Sequence, residues 1–156
     1  MIPRHPALPW LGIAARMLVG LVLVMSGTYK AAAPPEEFAL VIDAYRMIPS
    51  ADLIQAMAVF LPWLELLVGF ALILGYFTRH CAVAAAGMFG VFITAILSIK
   101  LRGIDLPNCG CFGFGFHPQP LQTAIMDALL FGAALLAYRH GPDRLSLDNW
   151  GGSGYN

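Results

Sequence analysis

The sequence predicts an all-α integral membrane protein, a four-helix bundle with a short interfacial helix in its first outer loop. The 156-residue chain is 59% hydrophobic and only 12% charged, about half the charged share of a soluble domain. Its mean hydropathy is +0.73. Its apolar runs are continuous rather than alternating, which favours helices over barrel strands. At this length we expect a single transmembrane domain over residues 1–156.

Four of the apolar runs are long enough to cross a bilayer. Each has 18 or more residues; at 1.5 Å per residue this gives about 27 Å, close to the hydrocarbon thickness of about 30 Å. We expect spans at about 11–30, 54–77, 81–99 and 121–138, and a C-terminal tail at 141–156 that is flexible by composition.

The first span also has some features of a secretory signal peptide. Arg4 precedes the apolar run, and the alanines at 31–33 resemble a cleavage site. However, the run is long, and Lys30 stands directly beside the supposed site. We therefore expect this segment to be retained as the first membrane helix.

Residues 31–53 predict the interfacial helix. Pro34 and Pro35 end the first span, and Glu36 and Glu37 suit the first turn of a new helix. Apolar residues then recur at helical spacing: Phe38, Val41, Ile42, Tyr45 and Ile48. This helix either caps the bundle or offers a docking face.

Small residues in the spans predict close helix packing. The hairpin between the second and third spans is short, with a loop at about 78–80. Small residues lie four apart in the third span, and glycines occur in the first two spans; they are Ala82, Ala86, Gly90, Gly12, Gly20 and Gly69. This spacing lets helix backbones approach one another.

The four spans place both chain termini on one side of the membrane. The basic residues divide five to four: Arg4, Arg16, Arg79, Arg139 and Arg144 on the terminal side, and Lys30, Arg46, Lys100 and Arg102 on the other. This narrow excess favours cytoplasmic termini. The net charge of zero gives no indication of a nucleic-acid partner.

A CxC pair, Cys109 and Cys111, lies between the third and fourth spans. Two thiols one residue apart close only a small, strained disulfide ring, which is easily reduced. Three interpretations stay open: a redox-active pair, a structural disulfide, or a Cu(I) or zinc site completed by His117. The spacing matches no strong zinc pattern, so we expect no metal.

The third cysteine limits the redox interpretation. Cys81 lies at the other end of the third span, a membrane thickness from the CxC pair, so the two cannot pair within one chain. A single outer dithiol cannot relay electrons across the membrane by itself. The remaining redox options are exchange with a partner on the outer face, or electron transfer to a quinone in the bundle.

Two carboxylates lie inside predicted spans and require partners. Glu65 and Asp127 would each be costly as unpaired charges at these depths. Lys30, near the outer end of the first span, is the simplest partner for either carboxylate. Lys100 or Arg102 could reach Asp127 by snorkelling. These charges either fix the helix register or form a proton path or polar pocket beneath the CxC loop.

Four segments, taken in order, resemble one known family. They are SGTYK at 26–30, LPWLEL at 61–66, RG at 102–103 and NCGCFG at 108–113. The chain resembles the methylamine-utilisation protein MauE family, within the broader DoxX-like membrane proteins. The similarity extends from about residue 11 to residue 138, and NCGCFG is its most specific segment.

The resemblance implies a bacterial inner-membrane protein tied to thiol redox work outside the cytoplasm. It implies a thioredoxin-like partner, or a maturing extracytoplasmic enzyme, that exchanges disulfides with Cys109 and Cys111. Nothing in the sequence selects which cysteine attacks, and the resemblance does not decide whether the chain is an enzyme. The alternative is a non-catalytic accessory or assembly subunit of a larger membrane complex, with a structural CxC disulfide.

Overall fold

A computed structural model describes residues 8–103, 120–140 and 147. Within these ranges the regular secondary structure is entirely helical, as predicted. The helices are α1 (Leu8–Ala32), α2 (Pro35–Ala44), α3 (Ala51–Leu74), α4 (Thr78–Arg102) and α5 (Pro120–His140). The CxC segment lies outside the described residues. The tail predicted to be flexible also lies outside them, except for residue 147.

The four long helices confirm the four predicted spans. α1, α3, α4 and α5 are each long and apolar enough to cross a membrane. Large apolar side chains face outward along them; Leu129, for example, is 70% exposed and Leu67 is 66% exposed. Such an outward apolar surface is expected where lipid replaces water. The chain is a multi-pass membrane protein.

α3 ends earlier than the sequence predicted. The predicted span reached residue 77, but Gly75 adopts the left-handed conformation with φ 70°. The backbone N–H of Tyr76 then donates to the carbonyl of Ala71 at 2.9 Å, which caps the helix. Phe77 is also left-handed, with φ 46°, so the chain reverses within three residues and starts α4 at Thr78.

α1 and α3 cross in direct backbone contact. A Cβ placed on Gly20 would lie 3.0 Å from the carbonyl oxygen of Gly69, and one on Gly69 would lie 2.9 Å from that of Gly20. Similarly, a Cβ placed on Gly12 would lie 2.6 Å from the backbone carbonyl of His140 on α5. The prediction that these three glycines permit close approach is confirmed.

α4 and α5 pack through alanines. The main buried cluster contains five alanines from these two helices: Ala82, Ala85, Ala86, Ala134 and Ala137. The prediction for Ala82 and Ala86 is confirmed, but Gly90 has a different setting. The nearest atom to a Cβ on Gly90 would be Cε2 of Phe131 at 3.8 Å, so the helix contact does not require glycine there.

α2 covers the start of α3, as a short helix in the first loop. It runs from Pro35 to Ala44, and Arg46 follows in the left-handed conformation with φ 48°. Its inner side forms a small apolar cluster with α3, made by Ala39, Ile54 and Ala58 with Phe38, Ile42 and Ile48. Three of the five residues in the predicted apolar pattern, Phe38, Ile42 and Ile48, are thus packed on the bundle, which is the capping arrangement; Tyr45 and Ile48 lie after the end of the helix. We call the end of the bundle that α2 covers, at the start of α3, the α2 end.

Candidate functional site

One face of α1 carries an unbroken buried line that leads to the α2 end. Arg16, Val19, Leu23, Ser26 and Lys30 are all buried. They are spaced alternately by three and four residues, which keeps them on one helix face. Polar side chains therefore reach the interior of the bundle near its α2 end.

The central feature of the site is a buried ion pair between α1 and α3. Nζ of Lys30 lies 2.5 Å from Oε1 of Glu65, and the two side chains are 4% and 0% exposed. Gly27 makes this geometry accessible, because a Cβ there would lie 3.0 Å from the Cβ of Glu65. The expectation that Lys30 is the partner of Glu65 is confirmed.

Two aromatic rings enclose the same ammonium group. Nζ of Lys30 lies 5.1 Å from the ring centroid of Phe38 and 5.2 Å from that of Phe92. These distances are within the range of cation–π attraction. Phe38 comes from α2 and Phe92 from α4, so four helices converge on Lys30.

Asp127 brings the fifth helix to this cluster. Asp127 is 1% exposed, and Thr123, one turn earlier on α5, is 0% exposed. The charges of both Lys30 and Glu65 act on the Asp127 carboxyl group. Ser26, Glu65 and Asp127 line one small cavity.

The cavity is about the size of a single water molecule. The space open to the centre of a water is about 10 Å³, at the lower limit for holding one water. Its walls are Val22, Leu23, Ser26, Glu65, Phe89, Phe92 and Asp127. A quinone ring does not fit in a space of this size.

Several buried oxygens of this region lack a hydrogen-bond partner among the described residues. They are Oε2 of Glu65, Oδ2 of Asp127 and Oγ1 of Thr123. Two of the three belong to carboxyl groups that line the cavity. A buried polar atom without a partner is costly, so this cluster requires a proton, a water or an ion to complete it.

Arg102 is directed to α2 and not to Asp127. Its guanidinium donates to the carbonyl oxygens of Tyr45 at 2.8 Å and Arg46 at 3.1 Å. These carbonyls follow α2, where a cation is favourable. Lys100 is exposed. The structure thus does not bring Arg102 to Asp127 as the sequence allowed, because its guanidinium is engaged by acceptors at the end of α2.

The predicted thiol site lies outside the described residues, but its attachment points do not. The segment that carries Cys109, Cys111 and His117 joins Gly103, after α4, to Pro120, at the start of α5. α4 and α5 are antiparallel, with Ala124 packed near Ile96. Both attachment points therefore belong to the α2 end.

Cys81 lies at the opposite end of the bundle, as expected. It is half-buried, and its thiol donates to the carbonyl of Tyr76 at 3.5 Å. From Cys81 to Lys100 the helix rises by about 28 Å at 1.5 Å per residue. Within residues 8–103 and 120–140, no three His, Cys, Asp or Glu side chains converge as metal ligands.

The sequence reasoning missed several residues of the site. Ser26 precedes Lys30 by four positions, and Thr123 precedes Asp127 by four; this spacing could have placed each pair on one face. Arg16 was counted as a charge of the terminal side, yet it is fully buried. Its spacing of three from Val19, on the helix face that also carries Lys30, could have indicated that it is buried.

Comparisons with known proteins agree with this architecture. The family model described as methylamine utilisation protein MauE matches residues 8–139. A methylamine utilization protein MauE from Paracoccus denitrificans is 31% identical over 137 residues, covering 88% of this chain and 71% of that relative. A second, from Methylophilus methylotrophus, is 33% identical over 103 residues.

The second alignment covers 66% of this chain and 53% of the relative, so it spans about half of that protein's length. No solved structure matches the chain. The family match extends over all four spans, α2 and the CxC segment. The chain therefore belongs to the MauE family.

Proposed function

We propose that this chain is a membrane-embedded thiol–disulfide exchange protein whose reactive pair is Cys109 and Cys111. The observation that carries the proposal is the attachment of the CxC segment. Both of its ends, at Gly103 and Pro120, join the α2 end, which also holds the buried cluster of Lys30, Glu65 and Asp127. The dithiol is thereby tethered to the end of the bundle that holds this buried charged cluster.

The proposed reaction is a two-step exchange. The thiolate of one cysteine attacks a partner disulfide, which forms a mixed disulfide and releases one partner thiolate. The second cysteine then attacks the mixed disulfide, which closes the CxC disulfide and releases the second partner thiolate. Two electrons pass from the CxC pair to the partner, and the reverse sequence oxidises the partner.

The proposed partner is a thioredoxin-like protein or an extracytoplasmic enzyme that acquires disulfides during maturation. The relatives from Paracoccus and Methylophilus are named for methylamine utilisation, and we propose that this chain serves a related maturation process. The bundle holds one CxC pair and a single distant cysteine. Electrons must therefore enter and leave through other molecules.

The proposed location is the bacterial inner membrane, with the chain termini in the cytoplasm and the CxC segment in the periplasm. At the end opposite α2, Arg79, His80 and Arg139 are exposed. Basic residues at this end favour the cytoplasm. An oxidising periplasm allows the CxC disulfide to persist.

A second candidate function is that of an accessory subunit without chemistry of its own. A Cβ placed on Gly87 of α4, or on Gly132 of α5, would meet nothing within 4 Å. Small residues with open space beside them on membrane helices suit packing against another membrane helix. In this case the CxC disulfide only fastens its segment.

Thiol labelling in native membranes separates the two functions. Membranes carrying a Cys81→Ser variant are treated with a mass-adding maleimide, with and without prior reduction, in cells that contain or lack the partner. Exchange predicts a mixture of reduced and oxidised Cys109 and Cys111 that shifts with the partner. A pair that is always oxidised, whatever the partner, supports the accessory function.

A further inference from the structure

The buried cluster at the α2 end contains more acidic groups than basic ones. Glu65 and Asp127 are 0% and 1% exposed, and Lys30 is 5% exposed. Lys30 is the single cation among the described residues that acts on Asp127. With both carboxyl groups ionised, the cluster would hold one uncompensated negative charge at membrane depth, which is strongly unfavourable.

Among the described residues, no other cation of the α2 end is positioned to supply the missing charge. Arg102 donates to the carbonyls of Tyr45 and Arg46, and Lys100 and the side chain of Arg46 are exposed. The segment 104–119 contains no lysine or arginine. The charge is therefore balanced by a bound positive species.

The geometry of the cavity shows where that species binds. Oε1 of Glu65 is occupied by Lys30, whereas Oε2 of Glu65 and Oδ2 of Asp127 have no partner among the described residues. Both carboxyl groups line the same cavity, which has room for about one water. A proton on one carboxyl group turns an acceptor into a donor and satisfies both groups, directly or through one water.

We propose that Asp127 and Glu65 together form a proton-binding site inside the membrane, which holds one exchangeable proton. The proton resides mainly on Asp127, because Glu65 is the carboxyl group that makes the ion pair with Lys30. Burial, charge and the unpartnered oxygens support this site whether or not the CxC pair exchanges thiols. The site supplies an acid group at the end of the bundle to which the segment carrying the CxC pair is attached.

Infrared spectroscopy of the full-length protein in lipid nanodiscs tests this proposal. The carbonyl stretch of a protonated carboxyl group is separate from that of a carboxylate. At neutral pH we expect one protonated band that shifts when aspartate is ¹³C-labelled and also shifts in D₂O. The band should be absent in Asp127→Asn and unchanged in Asp43→Asn, whose carboxyl group is exposed.

Charge balance makes a further prediction for two partner variants. In Glu65→Gln, Lys30 and Asp127 are left as one cation and one carboxyl group, so the protonated band of Asp127 should disappear. In Lys30→Gln no cation remains, so Glu65 should add a second protonated band. If either variant fails to fold, the spectra of the wild-type protein and of Asp127→Asn still test the proposal.

Two results would overturn the proposal. The first is a wild-type spectrum without a protonated carboxyl band, or with one that Asp127→Asn leaves in place. The second is a band that vanishes on addition of sodium ions at constant pH, which would identify a metal-cation site in place of a proton site. A band that is indifferent to sodium and lost in Asp127→Asn supports the proposal.

Discussion

Lys30 and Glu65, thirty-five positions apart in the sequence, meet at 2.5 Å in the interior of the bundle. The pair joins α1 to α3 where Gly27 brings the two backbones together. The rings of Phe38 and Phe92 flank its ammonium group. The pair thus links four helices at the end that carries the CxC segment.

Removal of one member of this pair should destabilise the protein. In Lys30→Met, Glu65 and Asp127 remain buried with no cation, so we expect a loss of about 3–5 kcal/mol in the free energy of unfolding. Unfolding in mixed detergent micelles measures this loss. Lys100→Met, at an exposed lysine near the same end, is the matched control and should change stability little.

The double variant separates charge from packing. Lys30→Met combined with Glu65→Met removes both charges and leaves Asp127 protonated as before, so most of the lost stability should return. A double variant that is less stable than Lys30→Met would show that the ion pair stabilises the bundle by more than charge compensation.

Substitution of the crossing glycines should disturb the contact between α1 and α3. A side chain on Gly69 begins 2.9 Å from the carbonyl oxygen of Gly20, so Gly69→Val should cost about 1–3 kcal/mol through overpacking. The midpoint of thermal unfolding in detergent measures this. Gly87→Val is the control because its Cβ meets nothing within 4 Å; equal losses in both variants would argue against the crossing.

Arg102 should hold the end of α2 in place. Arg102→Gln removes the charged donor to the carbonyls of Tyr45 and Arg46, and we expect a local loss of about 1 kcal/mol, or about fivefold faster amide exchange. Hydrogen–deuterium exchange of peptides from 36–46 measures this. Lys100→Gln should leave the exchange unchanged, and faster exchange in both variants would point to general charge loss at this end.

The proposed orientation can be tested with single cysteines on the two ends. In a background with all native cysteines changed to serine, Glu36→Cys and His80→Cys place thiols at exposed positions of opposite ends. A membrane-impermeant maleimide should label Glu36→Cys in intact spheroplasts and label His80→Cys only after lysis. The reverse pattern would place the CxC segment in the cytoplasm.

The spans and the ion pair could be predicted from the sequence because they depend on strong local signals. Continuous apolar runs predict membrane helices, and a carboxylate such as Glu65 in such a run requires a cation. Helix ends were less predictable. The predicted end of the second span passed Gly75, because the left-handed cap at that glycine depends on backbone geometry that apolar composition does not show.

Other errors arose where several partners competed for one group. The sequence allowed Arg102 to reach Asp127, but its guanidinium donates instead to the carbonyls after α2, which requires no displacement into the membrane. Gly90 was expected at a tight contact because of its spacing, whereas Ala85, which lies outside that spacing, is fully buried. The direction in which each helix face points decides such cases, and α4 is apolar on most faces.

Trapping of a mixed disulfide tests the central claim most directly. Cys109→Ser and Cys111→Ser variants are expressed separately in cells with the native partner proteins, and their membranes are run on non-reducing gels with mass spectrometry of the adducts. We expect at least one variant to form a reducible covalent complex with a thioredoxin-like or disulfide-containing extracytoplasmic protein, absent from the double variant. No complex in either variant, with partner oxidation unchanged in the double variant, would contradict the thiol-exchange function.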